Sequence, residues 1–343
     1  MKSNTLAALF IAASVSLMTA PASAQTVEKF YTGKTITIGV GYPPGGTYDI
    51  YARVIANYIA DYIPGKPTVI VKNRPGAASL TYINELYNTA PQDGTAFGTF
   101  ARSVPMDKLL GRPGANFVAT ELNWIGSTNS EVSLCSVWYT VGIKSVQDFM
   151  SRPLVFGSNA AGSESDMYPT ILNNLLGAHF KIVTGYPGAN DLSLAMERGE
   201  IQGRCGWTWS AAVSTHSDWI REKKFVVPVL FATHKPDVLK DSALVTELAR
   251  NDKERQALEL ILSNQTLGRP FAAPPNIPME RVTVLRRAFD STLKDKRFLA
   301  EADKQQLEVA PVTGEEVQQL IVKMYQSPPE VVAAAKAAIT HAE

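Results

Sequence analysis

The feature that most constrains this chain is a succession of short apolar runs, each followed by a turn and a helical pattern. Runs at 35–41, 69–72 and 96–100 alternate with helical periodicity at about 48–63 and 77–88. A second series places strands at 124–126, 132–139, 154–156, 181–184, 201–205 and 226–231, with helices near 165–176 and 191–198. Strands this short and apolar belong to sheets covered by helices on both faces, so the fold class is α/β with mainly parallel sheets. The last third reads as helical, at about 253–262, 278–294, 315–325 and 329–340, and Leu285, Phe289 and Leu293 form one apolar stripe.

At roughly 100–200 residues per domain, 343 residues suggest about two lobes. Lys plus Arg total 33 against 32 for Asp plus Glu. That balance lacks the basic excess of a nucleic-acid binder, so nucleic acid is not an expected partner. Lys2 precedes an apolar stretch at 6–18, and Ala22-Ser23-Ala24 supplies small residues ahead of Gln25. This reads as a secretory signal peptide cleaved after Ala24, since the stretch is shorter than the roughly 20 residues of a spanning helix. Export permits a disulfide between Cys135 and Cys205, provided that their strands are neighbours; two buried free thiols are the alternative.

Three loops between a strand and a helix carry the chemistry. The first, Gly39 to Asp49, includes Tyr42, Pro44, Gly45, Gly46 and Thr47. Its amides open onto a helix N-terminus, where a carboxylate or phosphate is favoured. The other reading is a tight turn capped by Asp49. The second loop holds Ser158, Asn159, Ala160, Gly162 and Ser163, and the third Tyr186 and Gly188. Together they suggest one anion held between two lobes.

Phosphate-loop and dinucleotide motifs fail: Thr47 stands where the first needs Lys, and Pro44 breaks the second. No HExxH, GxSxG or CxxC occurs, and neither metal nor cofactor is expected. Trp207 and Trp209 could wall a pocket beyond the strand that carries Cys205, or pack in a core. Arg102 and Arg204 are candidate carboxylate forks, with surface ion pairs as the alternative. Glu164 beside the second loop is either a helix-capping acid or a base.

Tyr42-Pro43-Pro44-Gly45-Gly46-Thr47-Tyr48-Asp49-Ile50-Tyr51-Ala52-Arg53 resembles the opening motif of the tripartite tricarboxylate transporter receptor family, the TctC or Bug proteins. Val71 to Ala77, Asp93-Gly94-Thr95, Tyr186-Pro187-Gly188 and Ala273 to Pro278 are similar to later motifs of that family, in order. The stretch Arg204 to Trp209 departs from the acidic, less aromatic pattern common there. The resemblance implies a two-lobed, type II-like periplasmic binding protein that holds a small organic acid in an interlobe cleft. It also implies delivery of that acid to the large and small subunits of a membrane transporter, with no catalysis. The ligand positions carried over are those of the first two loops.

The expectation is therefore a periplasmic monomer, with 1–24 as leader, 25–126 plus 266–343 as lobe 1, and 127–265 as lobe 2. The alternatives are an exported hydrolase or isomerase using Cys205 or Glu164, and a receptor that feeds a sensor kinase.

Overall fold

The computed structural model describes residues 27–341, so the expected leader lies outside the described residues. Twelve strands form two six-stranded sheets. The first contains β1 (Thr35–Val40), β2 (Thr68–Asn73), β3 (Ala96–Thr99), β4 (Asn123–Ser127), β11 (Pro270–Ala273) and β12 (Val312–Thr313), in the order β12-β4-β11-β3-β1-β2. The second contains β5 (Ser133–Trp138), β6 (Val155–Ser158), β7 (Lys181–Thr184), β8 (Gly203–Thr208), β9 (Phe225–Phe231) and β10 (Ala243–Leu244), in the order β10-β9-β5-β8-β6-β7.

Both sheets are mixed. In the second only β5 runs against its neighbours, and in the first β11 and β12 run against the other four. The reversed strands β5 and β11 directly follow the two segments that pass between the sheets, 128–132 and 263–269. Those segments run side by side: the Glu131 amide donates to the Gln265 carbonyl at 2.8 Å, and Ser127 Oγ to the Leu267 carbonyl at 2.6 Å. Two adjacent crossings of this kind are what allows a pair of lobes to hinge.

Helical faces explain the packing. In the helix Thr47–Tyr58, Tyr51, Val54 and Ile55 are buried in the cluster that includes Ile36, Ile38 and Val40 of β1. Residues spaced by three and four share one helix face, so the opposite face is left to solvent. The expected stripe Leu285, Phe289 and Leu293 is buried in the same cluster. The last helix, Pro329–Ile339, packs against the helices Glu164–Leu176 and Asp252–Leu262, both from the stretch expected in the second lobe. Asn174 Nδ2 fastens its end by donating to the carbonyls of Ala338 and Thr340 at 3.0 and 2.7 Å. The chain thus passes from the first sheet to the second body a third time, beyond Tyr325.

Strand β11 is absent from the sequence reading. All four of its residues are buried at the centre of the first sheet, yet Pro270 opens it and Pro274 follows it. Proline tolerates the first position of a strand, but such punctuation leaves no run long enough to read. The described residues include no helix long and apolar enough to cross a membrane.

Candidate functional site

The three loops meet at a cavity of about 130 Å³ between the two sheets. Tyr42, Pro44, Gly46 and Thr47 of the first loop line it, as do Asn159 and Ser163 of the second, Gly188 of the third, and Trp207. The remaining five sequence candidates, Gly45, Ser158, Ala160, Gly162 and Tyr186, do not line it. The Gly45 amide donates to Asp49 Oδ2 at 2.9 Å, and the Gly162 amide to Asp166 Oδ2 at 2.8 Å. Ser158 is buried, donating to the Ala160 carbonyl, while half-buried Tyr186 offers its carbonyl to Asn159 Nδ2.

The loops therefore differ in what they offer. In the first, Gly46, Thr47 and Tyr48 have amides with no acceptor among the described residues, at the start of a 12-residue helix. Open N–H groups and the positive helix end favour an anion there. In the second, the amides of Asn159, Gly162 and Ser163 are taken by Ser165 Oγ, Asp166 and the Ala160 carbonyl. Its contribution to the cavity is made by side chains.

Three buried arginines also line the cavity: Arg102, Arg204 and Arg269. Arg102 Nη2, from the first lobe, donates to Ser133 Oγ and Glu164 Oε2 across the cleft. Burial pulls the Arg102 guanidinium down, but the facing Glu164 carboxylate more than reverses this and holds it above its ordinary value. Arg269 Nη1 meets Glu131 Oε1 at 2.7 Å, and its guanidinium lies 4.6 Å from the Tyr48 ring centre. Tyr48 in turn stacks on Tyr42 at 4.9 Å.

Arg204 differs from both. Its Nη1 donates to the Ala189 carbonyl at 2.8 Å and to Ser193 Oγ at 3.0 Å, and its guanidinium lies 5.0 Å from the Trp207 ring centre. No carboxylate pairs with it among the described residues, and its Nη2 donates to none of them. Burial without an acid partner pushes the guanidinium down to about 9, still charged at neutral pH.

Local chemistry sets this geometry. Strands β5 and β8 pair antiparallel with a bulge beside Cys135, and the Cys135–Cys205 disulfide joins them there. Gly206 takes φ +70°, where a Cβ would lie 2.7 Å from backbone atoms of Glu164 and Ser165. Only glycine fits a left-handed bulge this close to another chain segment. Strand β8 ends at Thr208, and the helix Trp209–Thr215 starts next. Trp209 therefore turns away from the cavity that Trp207 lines. Arg269, Tyr48 and Thr208 are cavity residues that the sequence reading missed. A buried cation in a Gly-Arg-Pro turn carries no local signal, because its partner Glu131 is remote in sequence.

Behind Trp207, His216 lies 4.3 Å from Trp219, ring centre to ring centre. Burial, then the Arg204 charge, push this imidazole down to about 4, against Asp218. A folded pKa below the unfolded value of 6.5 gives stability that is complete above pH 6.5 and is lost as pH falls toward 4. Urea unfolding at pH 7.5 and 4.5 is expected to show this loss in the natural protein and a smaller one in His216→Gln. An equal loss in both would remove His216 as the cause.

No family model matches the chain. A UPF0065 protein in the gbd 5' region of Cupriavidus necator is 39% identical over 112 residues, which are 33% of this chain and 30% of that relative. The fold is that of periplasmic solute-binding proteins. The periplasmic binding protein BugD superposes with a TM-score of 0.70 at 16% identity, over 90% of this chain and 99% of its own. MatC from Rhodopseudomonas palustris, with bound malate, gives 0.68 at 17% identity, over 89% and 99%. A TctC solute-binding protein from Polaromonas gives 0.61 at 18%, over 90% and 99%.

Proposed function

We propose that this chain, whose fold is that of the TctC and BugD solute-binding proteins, is an extracytoplasmic receptor for a small organic acid. It closes two lobes on a carboxylate and delivers it to the large and small membrane subunits of a tripartite tricarboxylate-type carrier. The observation that carries this reading is Arg204, a buried cation with no acid partner among the described residues, which faces the same cavity as the open amides of Gly46, Thr47 and Tyr48. A buried charge is strongly disfavoured without a counter-charge, so a carboxylate supplied by a ligand completes the site.

The rival catalytic reading needed Cys205 or Glu164. The Cys205 sulfur is in a disulfide and so is no free nucleophile, and Glu164 is engaged by Arg102 in an ion pair. The protein acts as a periplasmic monomer, with the leader 1–24 removed after Ala24. The closing bodies are 25–126 with 266–343, and 127–265, and the helix Pro329–Ile339 rides on the second.

The test is a thermal-shift and calorimetric screen of mono-, di- and tricarboxylates against the natural protein and Gly46→Asp. A Cβ on Gly46 would meet nothing closer than the Pro43 carbonyl at 3.9 Å, so the variant keeps its fold and places a negative charge beside the open amides. At least one acid is expected to raise the melting temperature by mass action, and the variant to lose that response. A folded variant that binds the same acid unchanged removes the first loop from the site.

A further inference from the structure

The charge inside the closed cleft can be counted, and the count limits the charge of the ligand. This step rests on the carboxylate-receptor reading above. Of the three guanidiniums facing the cavity, Arg102 is matched by Glu164 and Arg269 by Glu131. Each pair is held by more than one contact. Ser133 also accepts from Arg102, Thr208 from Arg269, and Asn129 and Ser210 donate to Glu131. Arg204 is the one guanidinium left over.

With one carboxylate shared between Arg204 and the open amides of Gly46, Thr47 and Tyr48, a second meets no unmatched cation in the cavity. It would be buried against Glu164, or would have to displace Glu164 from Arg102 and leave that acid unpaired in the interior. Both cost heavily in a low-dielectric site. Asp191, at the exposed rim of the cavity, adds a further negative charge that solvent screens but does not reverse. Tyr42, Pro43, Pro44, Ala101, Trp207 and Ala211 give the wall an apolar and aromatic part, and the uncharged side chains of Thr47, Asn159, Ser163, Asn190 and Thr208 a polar part. The cavity, about 130 Å³, is also small.

We propose that the ligand is a compact monocarboxylate, and that Arg204 is the residue that selects its single negative charge. Its carboxylate meets Arg204 Nη2, and its body rests against Tyr42 and Trp207. The protein of like fold that holds malate binds a diacid, so this assignment separates the present chain from that neighbour by charge.

The experiment uses full-length mature protein, unfolded and refolded to remove any retained ligand, and titrated calorimetrically with two matched pairs: benzoate with terephthalate, and butyrate with succinate. At least one monoacid is expected to bind about tenfold or more tighter than its diacid. Arg204→Met is expected to weaken that monoacid by about a hundredfold, the range for loss of one partner of a buried charge pair. Glu164→Gln frees Arg102 and adds one net positive charge to the cleft. It is therefore expected to narrow or reverse the monoacid preference, which a merely structural role for Arg204 would not predict. Diacids that bind the natural protein as tightly as the monoacids, or tighter, overturn this inference and leave the carboxylate reading standing. Monoacid affinity unchanged in Arg204→Met overturns the assignment of Arg204. If no acid of either kind binds, both fall together.

Discussion

Glu131→Ala is expected to destabilise the protein by about 3–5 kcal/mol, the range for breaking a buried ion pair from one side. Glu131 Oε1 accepts from Arg269 Nη1 at 2.7 Å, from Asn129 Nδ2 at 2.8 Å and from Ser210 Oγ, and both charged side chains are almost fully buried. The variant leaves the Arg269 guanidinium in the interior beside Tyr48 without its ion-pair partner. The cost comes from that orphaned charge more than from the lost attraction, and this distinction is testable. Glu131→Leu combined with Arg269→Met removes both charges at similar volume and should cost less than Glu131→Ala alone. Denaturant unfolding at neutral pH measures all three proteins. A single variant within about 1 kcal/mol of the natural protein would mean that water reaches Arg269 and that the pair does not fasten the two crossing segments.

The pair also shows where reading from sequence stops. Strands β1, β2, β3, β6 and β7 were legible because each is a short run rich in apolar residues and bounded by turn residues; β1, β3 and β6 are largely buried, whereas the edge strands β2 and β7 are only partly so. The first loop was legible as a glycine-rich turn that opens a helix, and its two readings coexist in the fold: the Gly45 amide is taken by Asp49, while those of Gly46, Thr47 and Tyr48 have no acceptor among the described residues. What lay hidden depended on partners remote in sequence. Nothing near Arg269 marks it as buried, since Glu131 and Tyr48 reach it only once the segments 128–132 and 263–269 lie together. Arg204 was visible as a candidate, but its lack of an acid partner is a property of the folded cleft. In the second loop Asp166 and Ser165 occupy the Gly162 and Asn159 amides, as short polar side chains at helix starts often do, and these pairings too exist only in the fold.

Loss of the Cys135–Cys205 bridge is expected to cost about 4 kcal/mol by the loop-entropy estimate for a closed loop of this length, and to lower the melting temperature by about 6 °C. The two cysteines are 70 residues apart, and the enclosed loop contains β6, β7 and the second and third cavity loops. Freed of the cross-link, the unfolded chain regains the entropy of that whole stretch. Both cysteines are fully buried, so reductant reaches the folded protein slowly and Cys135→Ala with Cys205→Ala is the cleaner probe. The bridge lies at the bulge between β5 and β8, next to Arg204 and Trp207 in β8. A slack bulge lets β8 slide in register, and a one-residue slip would turn Arg204 out of the cavity. The double variant should therefore lose ligand affinity as well as stability, even at a temperature where it remains folded. Reduced stability with unchanged affinity would show that strand pairing alone holds Arg204 in place and that the disulfide acts on the unfolded chain only.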